Sequence, residues 1–150
     1  MLTPKTVLVV ENHPDLRELM GRVFALIGWD AILADSGADA IGKLECHAPD
    51  LILLDIRMPV MSGFELAAII KNHPLHNRIP ILAASADPGH RAGSMAAGCD
   101  DFISKPFAIP TLETSLNRLL ARGAPRFFES RSSTPVSEPK TALVCSDASL

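Results

Sequence analysis

The 150-residue chain has no tyrosine, one tryptophan, three cysteines and 5% aromatic residues, and each shortage closes off a class of protein. Cys46, Cys99 and Cys145 show no CxxC spacing, and an odd number of thiols does not make a disulfide framework. The thiols therefore read as buried or incidental. No apolar run reaches the length of a membrane span, and MLTPKT lacks the apolar segment of a secretory signal, which points to a cytoplasmic protein with no membrane association. Basic charge is not in excess. A net charge of −3 and a pI near 5.9 give no electrostatic reason to bind nucleic acid directly. His13, His47, His73, His76 and His90 are scattered, with no pair at metal-ligand spacing beside a third ligand, so none is a site candidate. What is present is 47% hydrophobic and 21% charged residues, enough for the core of one ordinary domain.

The apolar residues fall in alternating short runs and helical stripes. Thr6 to Val10 (TVLVV) and Leu51 to Leu54 (LILL) are too short for helices and apolar at almost every position, the pattern of strands buried on both faces of a parallel sheet. Ile79 to Ala84 is a third such run, Trp29 to Ala34 a weaker one, and Asp101 to Ser104 a short last strand. Between them lie helices. Leu16, Leu19, Met20, Val23, Phe24 and Ile27 recur at three- and four-residue steps and predict one apolar helix face ending at Gly28. Ser36 offers a cap for a short helix through Leu44, and Ser62-Gly-Phe-Glu65 fits a capping box for the next. The stretch from Asp87 to Gly98 reads as a helix of low intrinsic stability because it contains internal glycines and a proline. Pro110 opens a last helix with Ile109, Leu112, Leu116, Leu119 and Leu120 on one face, ending at Gly123. Five strand-helix units predict a doubly wound α/β fold with a five-stranded parallel sheet over residues 1–123. From 124 to 150 a Ser/Pro-rich segment predicts a disordered C-terminal tail.

Polar residues collect where the strands end. Glu11 and Asn12 follow the first, Asp55 closes the third, Ser85 closes the fourth and Lys105 follows the fifth. In open α/β sheets that carboxyl edge is where ligands bind. Carboxylates with amide oxygens select a hard cation such as Mg²⁺, and a lysine with a hydroxyl suits an oxyanion held beside it. The chemistry indicated is phosphoryl transfer. Arg57 and Asp87, each two residues beyond a site residue, are expected to pair across the mouth.

VLVVEN, LILLDIRMPVMSGFEL, ILAASA and AGCDDFISKPF, in that order and spacing, resemble the receiver domain of two-component response regulators over roughly residues 5 to 122. The resemblance implies a (βα)5 flavodoxin-like fold with Asp55 as phosphoacceptor for a histidine kinase or histidine phosphotransfer protein. It also implies Lys105 as ion partner of the phosphoryl group, Ser85 as the switch hydroxyl, Phe102 as the switch aromatic, and a cis peptide at Lys105-Pro106. Metal contacts would come from Glu11, Asn12, Asp55 and the Arg57 backbone carbonyl. Beyond self-phosphorylation from small phosphodonors and slow self-dephosphorylation, it implies no enzyme activity.

One position departs from the family. Receivers usually carry two acids after the first strand, and here the second is Asn12, which removes a negative charge and predicts weaker Mg²⁺ binding. Asn12 equally suits a helix cap, Ser85 a plain turn hydroxyl, and Phe102 a plain core residue. The alternative function is a pseudo-receiver scaffold that acts without phosphorylation; retention of Asp55, Ser85 and Lys105 together counts against it. A flavin- or nucleotide-binding enzyme lacks its phosphate loop, since ENHPD offers no glycine. No output domain follows, so a stand-alone receiver and one cut from a longer chain both fit. Cognate kinase, output partner and pairing as a homodimer stay open.

Overall fold

In the computed structural model, which describes residues 4–123, strands and helices alternate as β1 (Thr6–Val10), α1 (Pro14–Leu26), β2 (Asp30–Ala34), α2 (Gly37–Cys46), β3 (Leu51–Asp55), α3 (Gly63–Lys71), β4 (Ile81–Ser85), α4 (His90–Ala97), β5 (Asp101–Ser104) and α5 (Ile109–Gly123). The tail expected beyond residue 123, with Cys145, lies outside the described residues. All pairings are parallel and the order is β2-β1-β3-β4-β5, the flavodoxin-like arrangement. The strand order reverses between β1 and β3, so the crevice opens at their carboxyl ends.

Alternation along each strand divides the core. Val7, Val9, Leu51, Leu53 and Leu82 face α1 and α5 through Phe24, Leu112, Leu116 and Leu119. Leu8, Val10, Ile52, Leu54 and Ala83 face α2 and α3 through Ala40, Leu44, Leu66, Ala67 and Ile70. Every residue of β3 is buried, as a run apolar on both faces requires, and each large side chain so buried contributes about 1.5–3 kcal/mol. The last residue of that run is Asp55, so the packing of four aliphatic side chains fixes where its carboxylate lies.

Helix ends follow local chemistry at most positions. Pro14 occupies the first turn of α1, the Ser36 hydroxyl accepts from Asp39 N at 3.0 Å, and Ser62 with Glu65 forms the expected reciprocal capping box at 3.2 and 2.9 Å. Asn12 does not cap α1. The N-cap is His13, without a side-chain hydrogen bond, because the chain needs one more residue to turn from β1 into the helix. The weak fourth helix begins after Gly89 with no side-chain cap and ends on Gly98, whose φ of 109° suits glycine. Lys105-Pro106 is cis.

The apolar face expected for α1 is only partly core. Phe24 is buried and Met20, Val23 and Ile27 pack against the core, but Leu16 and Leu19 are 41% and 51% exposed. Their turns lie past the sheet, beside Pro106 and Phe107, rather than over the strands. Lys71, in the last turn of α3, is drawn inward: its ammonium donates to Ile79 O and to Asp100 Oδ2, both at 3.0 Å. No helix among the described residues is long and apolar enough to cross a membrane.

Candidate functional site

The site is assembled by strand ends held at fixed register. Asp55 lies where β3 turns into a loop, and Gly63 brings α3 back onto that turn through its N–H to Ile56 O at 2.9 Å. A Cβ at Gly63 would meet Asp55 O and Ile56 Cα at 2.6 Å, so only glycine allows the approach. Within the loop, Val60 is fully exposed and holds a φ of 70°, an uncommon conformation for a β-branched residue.

Two acids and one lysine converge across 94 residues of chain. Glu11 is 4% exposed and Asp55 7% exposed. The Lys105 ammonium donates to Glu11 Oε1 at 2.9 Å and lies 3.5 Å from Asp55 Oδ1. Glu11 Oε2 accepts from His13 N at 3.2 Å, and Asp55 Oδ1 accepts from Arg57 N at 3.3 Å. Lys105 is itself positioned by the sheet, since its N–H donates to Ser85 O at 2.9 Å. Burial raises the Asp55 pKa above the ordinary carboxylate range; the Lys105 charge opposes this, and the Glu11 charge adds to it. One cation thus holds two nearly dry carboxylates, an arrangement with more negative than positive charge.

Among the described residues, no three His, Cys, Asp or Glu side chains cluster as a metal cage. A cation here would draw on Glu11, Asp55, the Arg57 carbonyl and water, the sparse oxygen set that Mg²⁺ accepts. The excess negative charge and the raised Asp55 pKa fit such an ion. Asn12 is exposed at the rim and its side chain makes no hydrogen bond among the described residues, which leaves its amide oxygen available.

Ser85 is 1% exposed, pairs in register with Ser104, and accepts from Asp87 N at 3.1 Å. Its hydroxyl also lies 2.8 Å from His90 Nδ1, a contact that sequence reasoning missed. No spacing rule marks a histidine five residues past a serine; the turn from β4 into α4 makes them neighbours. The expected Arg57–Asp87 pair is not formed. Asp87 is held by its own turn, accepting from Gly89 N at 2.8 Å and facing His90 Nε2 at 3.6 Å. Arg57 stays exposed on the same open cavity, about 460 Å³ and lined also by Met58, Ser62 and Phe64.

Phe102 does not reach the charged cluster. It is 3% exposed, two residues before Ser104 and on the core side, with the Arg91 guanidinium 5.2 Å from its ring centre. Cys99 is buried and its thiol is pushed up to about 12, chiefly by desolvation, which makes it inert.

With this geometry, residues 7–117 match the model of the response regulator receiver domain, and the chain belongs to that family. It is 32% identical over 119 residues to a probable transcriptional regulatory protein, TcrX, of Mycobacterium tuberculosis, covering 79% of this chain and 51% of that protein. It is 33% identical over 123 residues to the phosphate regulon transcriptional regulatory protein PhoB of Pseudomonas aeruginosa, covering 81% and 54%. The chain therefore spans about half the length of these curated relatives. A putative response regulator from Chloroflexus aurantiacus superposes with a TM-score of 0.75 at 28% identity, over 79% of this chain and 98% of that one. The receiver domain of a sensor histidine kinase from Pseudomonas aeruginosa, solved with magnesium coordinated in its active-site cleft, gives 0.73 at 28% identity, over 79% and 98%. Receiver domains are signalling domains of two-component systems, switched by phosphorylation, that interact with histidine kinases and phosphotransfer proteins and generally bind Mg²⁺.

Proposed function

We propose that Asp55 is the phosphoacceptor of this receiver, and that the chain acts by protein-protein binding after the transfer. The observation that supports this most is the Lys105 ammonium between Glu11 and Asp55 at the carboxyl edge. In the transfer, an Asp55 carboxylate oxygen bonds to phosphorus as the bond from phosphorus to the donor's imidazole nitrogen, or to acetyl oxygen, breaks. The donor leaves with the electron pair. Lys105 faces the oxygens on which negative charge collects, and the buried position keeps competing water away. Glu11, Asp55, the Arg57 carbonyl and the Asn12 amide are the groups that would hold Mg²⁺, which supplies charge neutralisation when bound.

A histidine kinase or histidine phosphotransfer protein is the proposed donor. Leu16 and Leu19, exposed beside Met20, Pro106 and Phe107, make an apolar patch next to Glu11 and Lys105 that suits a helix carrying the donor histidine. Transcriptional regulation, which the names of the two curated relatives state, would need residues outside this receiver unit.

The test is intact mass after incubation with acetyl phosphate, with and without Mg²⁺, beside Asp55→Asn. A metal-dependent gain of one phosphoryl group, absent in the variant, is expected. No gain at any Mg²⁺ concentration would instead favour a scaffold that works unmodified. Asn12→Asp restores the second acid and is expected to tighten Mg²⁺ binding roughly tenfold, the effect of about 1.4 kcal/mol. Equal Mg²⁺ midpoints for the two proteins would remove Asn12 from the metal shell.

A further inference from the structure

Ser85 has one proton to give and is almost completely buried. Its oxygen already accepts from Asp87 N, and the acceptor for its proton among the described residues is His90 Nδ1, at 2.8 Å. If Nδ1 instead carried the ring proton, the hydroxyl proton would have no partner in a dry site, which is costly. The arrangement that gives both groups a partner is a hydroxyl donating to Nδ1 with the ring proton on Nε2, the nitrogen that faces Asp87 Oδ2 at 3.6 Å. The edge of the Phe64 ring contact fixes the imidazole plane, with centroids 5.6 Å apart at 87°.

We propose that His90 is a positioning residue, a latch that holds the Ser85 hydroxyl toward α4 until a phosphoryl group on Asp55 competes for its proton. This rests on the proposed function above, in which Ser85 turns to the phosphoryl oxygen. His90 is the first residue of α4, and the Ser94 hydroxyl donates to its carbonyl at 2.8 Å, so the latch ties the switch hydroxyl to the first turn of that helix. When Ser85 turns away, α4 loses its one side-chain tether to the end of β4 among the described residues. α4 is eight residues long, has no side-chain N-cap and contains Gly93, so its local structure alone holds it weakly, and Arg91 ties it to β5 rather than to β4. The latch thereby links an event at Asp55 to the surface that a partner meets.

Two ring substitutions separate the hydrogen bond from the packing. His90→Phe keeps a ring against Phe64 and removes the acceptor; His90→Asn keeps an acceptor near the Nδ1 position and removes the ring. Beryllofluoride with Mg²⁺, a phosphoryl mimic, is titrated against the full chain and followed by the amide shifts of β4 and α4. The His90→Phe midpoint is expected about three- to tenfold below wild type, the range that one net hydrogen bond supports, with His90→Asn close to wild type. In a Ser85→Ala background the effect of His90→Phe should vanish. Separately, the ring ¹⁵N shifts of the free protein should show a bare Nδ1 and a protonated Nε2. A wild-type midpoint for His90→Phe, the same drop in His90→Asn, or a ring protonated on Nδ1 each overturns the latch. A wild-type protein that ignores beryllofluoride overturns the phosphoacceptor reading instead, and the ring tautomer, measured without it, still decides whether the latch exists.

Discussion

The two edges of the sheet handle their acids in opposite ways. At the amino edge two acids, Asp50 and Asp100, have matched duties. Asp50, just before β3, exchanges hydrogen bonds with the first residue of β1: its N–H donates to Thr6 O and its carboxylate accepts from Thr6 N, both at 2.8 Å. Asp100, just before β5, repeats this with Ile81 at 2.8 Å and adds the Lys71 ammonium at 3.0 Å. These carboxylates satisfy strand N–H groups that have no partner in the ladder. At the carboxyl edge, Glu11 and Asp55 share Lys105, and burial holds the Asp55 pKa up. The difference teaches where stability was spent: the amino edge closes the sheet, and the carboxyl edge keeps charge unbalanced for a ligand.

The strongest way to break the carboxyl edge leaves its charges untouched. Gly63→Ala puts a methyl group onto the backbone at Asp55 and Ile56, and the loss expected by urea unfolding is about 2–4 kcal/mol, with a displaced β3 end. A loss below about 0.5 kcal/mol would mean the β3–α3 turn yields freely.

At the amino edge, Asp100→Ala leaves the Ile81 N–H without its partner and takes the counter-charge from the Lys71 ammonium, which keeps only carbonyl acceptors, and an expected loss of about 2–3 kcal/mol follows. The same measurement with no change would reduce Asp100 to a solvated acid and remove the contrast between the edges.

Asp55→Asn should act in the other direction. A carboxyl whose folded pKa is raised favours the fold when protonated, and that contribution is lost as pH rises through its titration. At pH 7 the variant is therefore expected to gain about 1 kcal/mol, read as a rise in Tm of about 2–4 °C. Below about pH 4, where the acid is protonated in both states, the gain should disappear. A gain independent of pH would show that charge at Asp55 is not its source.

Legibility in the sequence followed the range of the interactions. The strands were readable because burial on both faces demands uninterrupted apolar runs, and the capping box at Ser62 because its parts lie three residues apart. Of the two roles open to Asn12, the cap falls away because the turn from β1 into α1 is one residue longer than the local rule and places His13 at the cap. Leu16 and Leu19 carried the right spacing for a core face, but helical period does not say how far the sheet extends beneath it. The Arg57–Asp87 pair failed because Asp87 had a nearer partner in Gly89 N. Lys71 and His90 were passed over for the same reason: their partners, Asp100 and Ser85, become neighbours only when β4 is laid beside β5 and α4 folds back.

The sequence by itself determined the alternation of five strands and five helices and the gathering of Glu11, Asp55, Ser85 and Lys105 at the carboxyl edge, because hydrophobic period and the ends of buried runs are local properties. Only the tertiary structure decided that Lys105 lies between Glu11 and Asp55, that Phe102 is held in the core, and that His90 Nδ1 lies beside the Ser85 hydroxyl. Those facts depend on register between strands distant in the chain, which sheet packing sets and no single segment encodes.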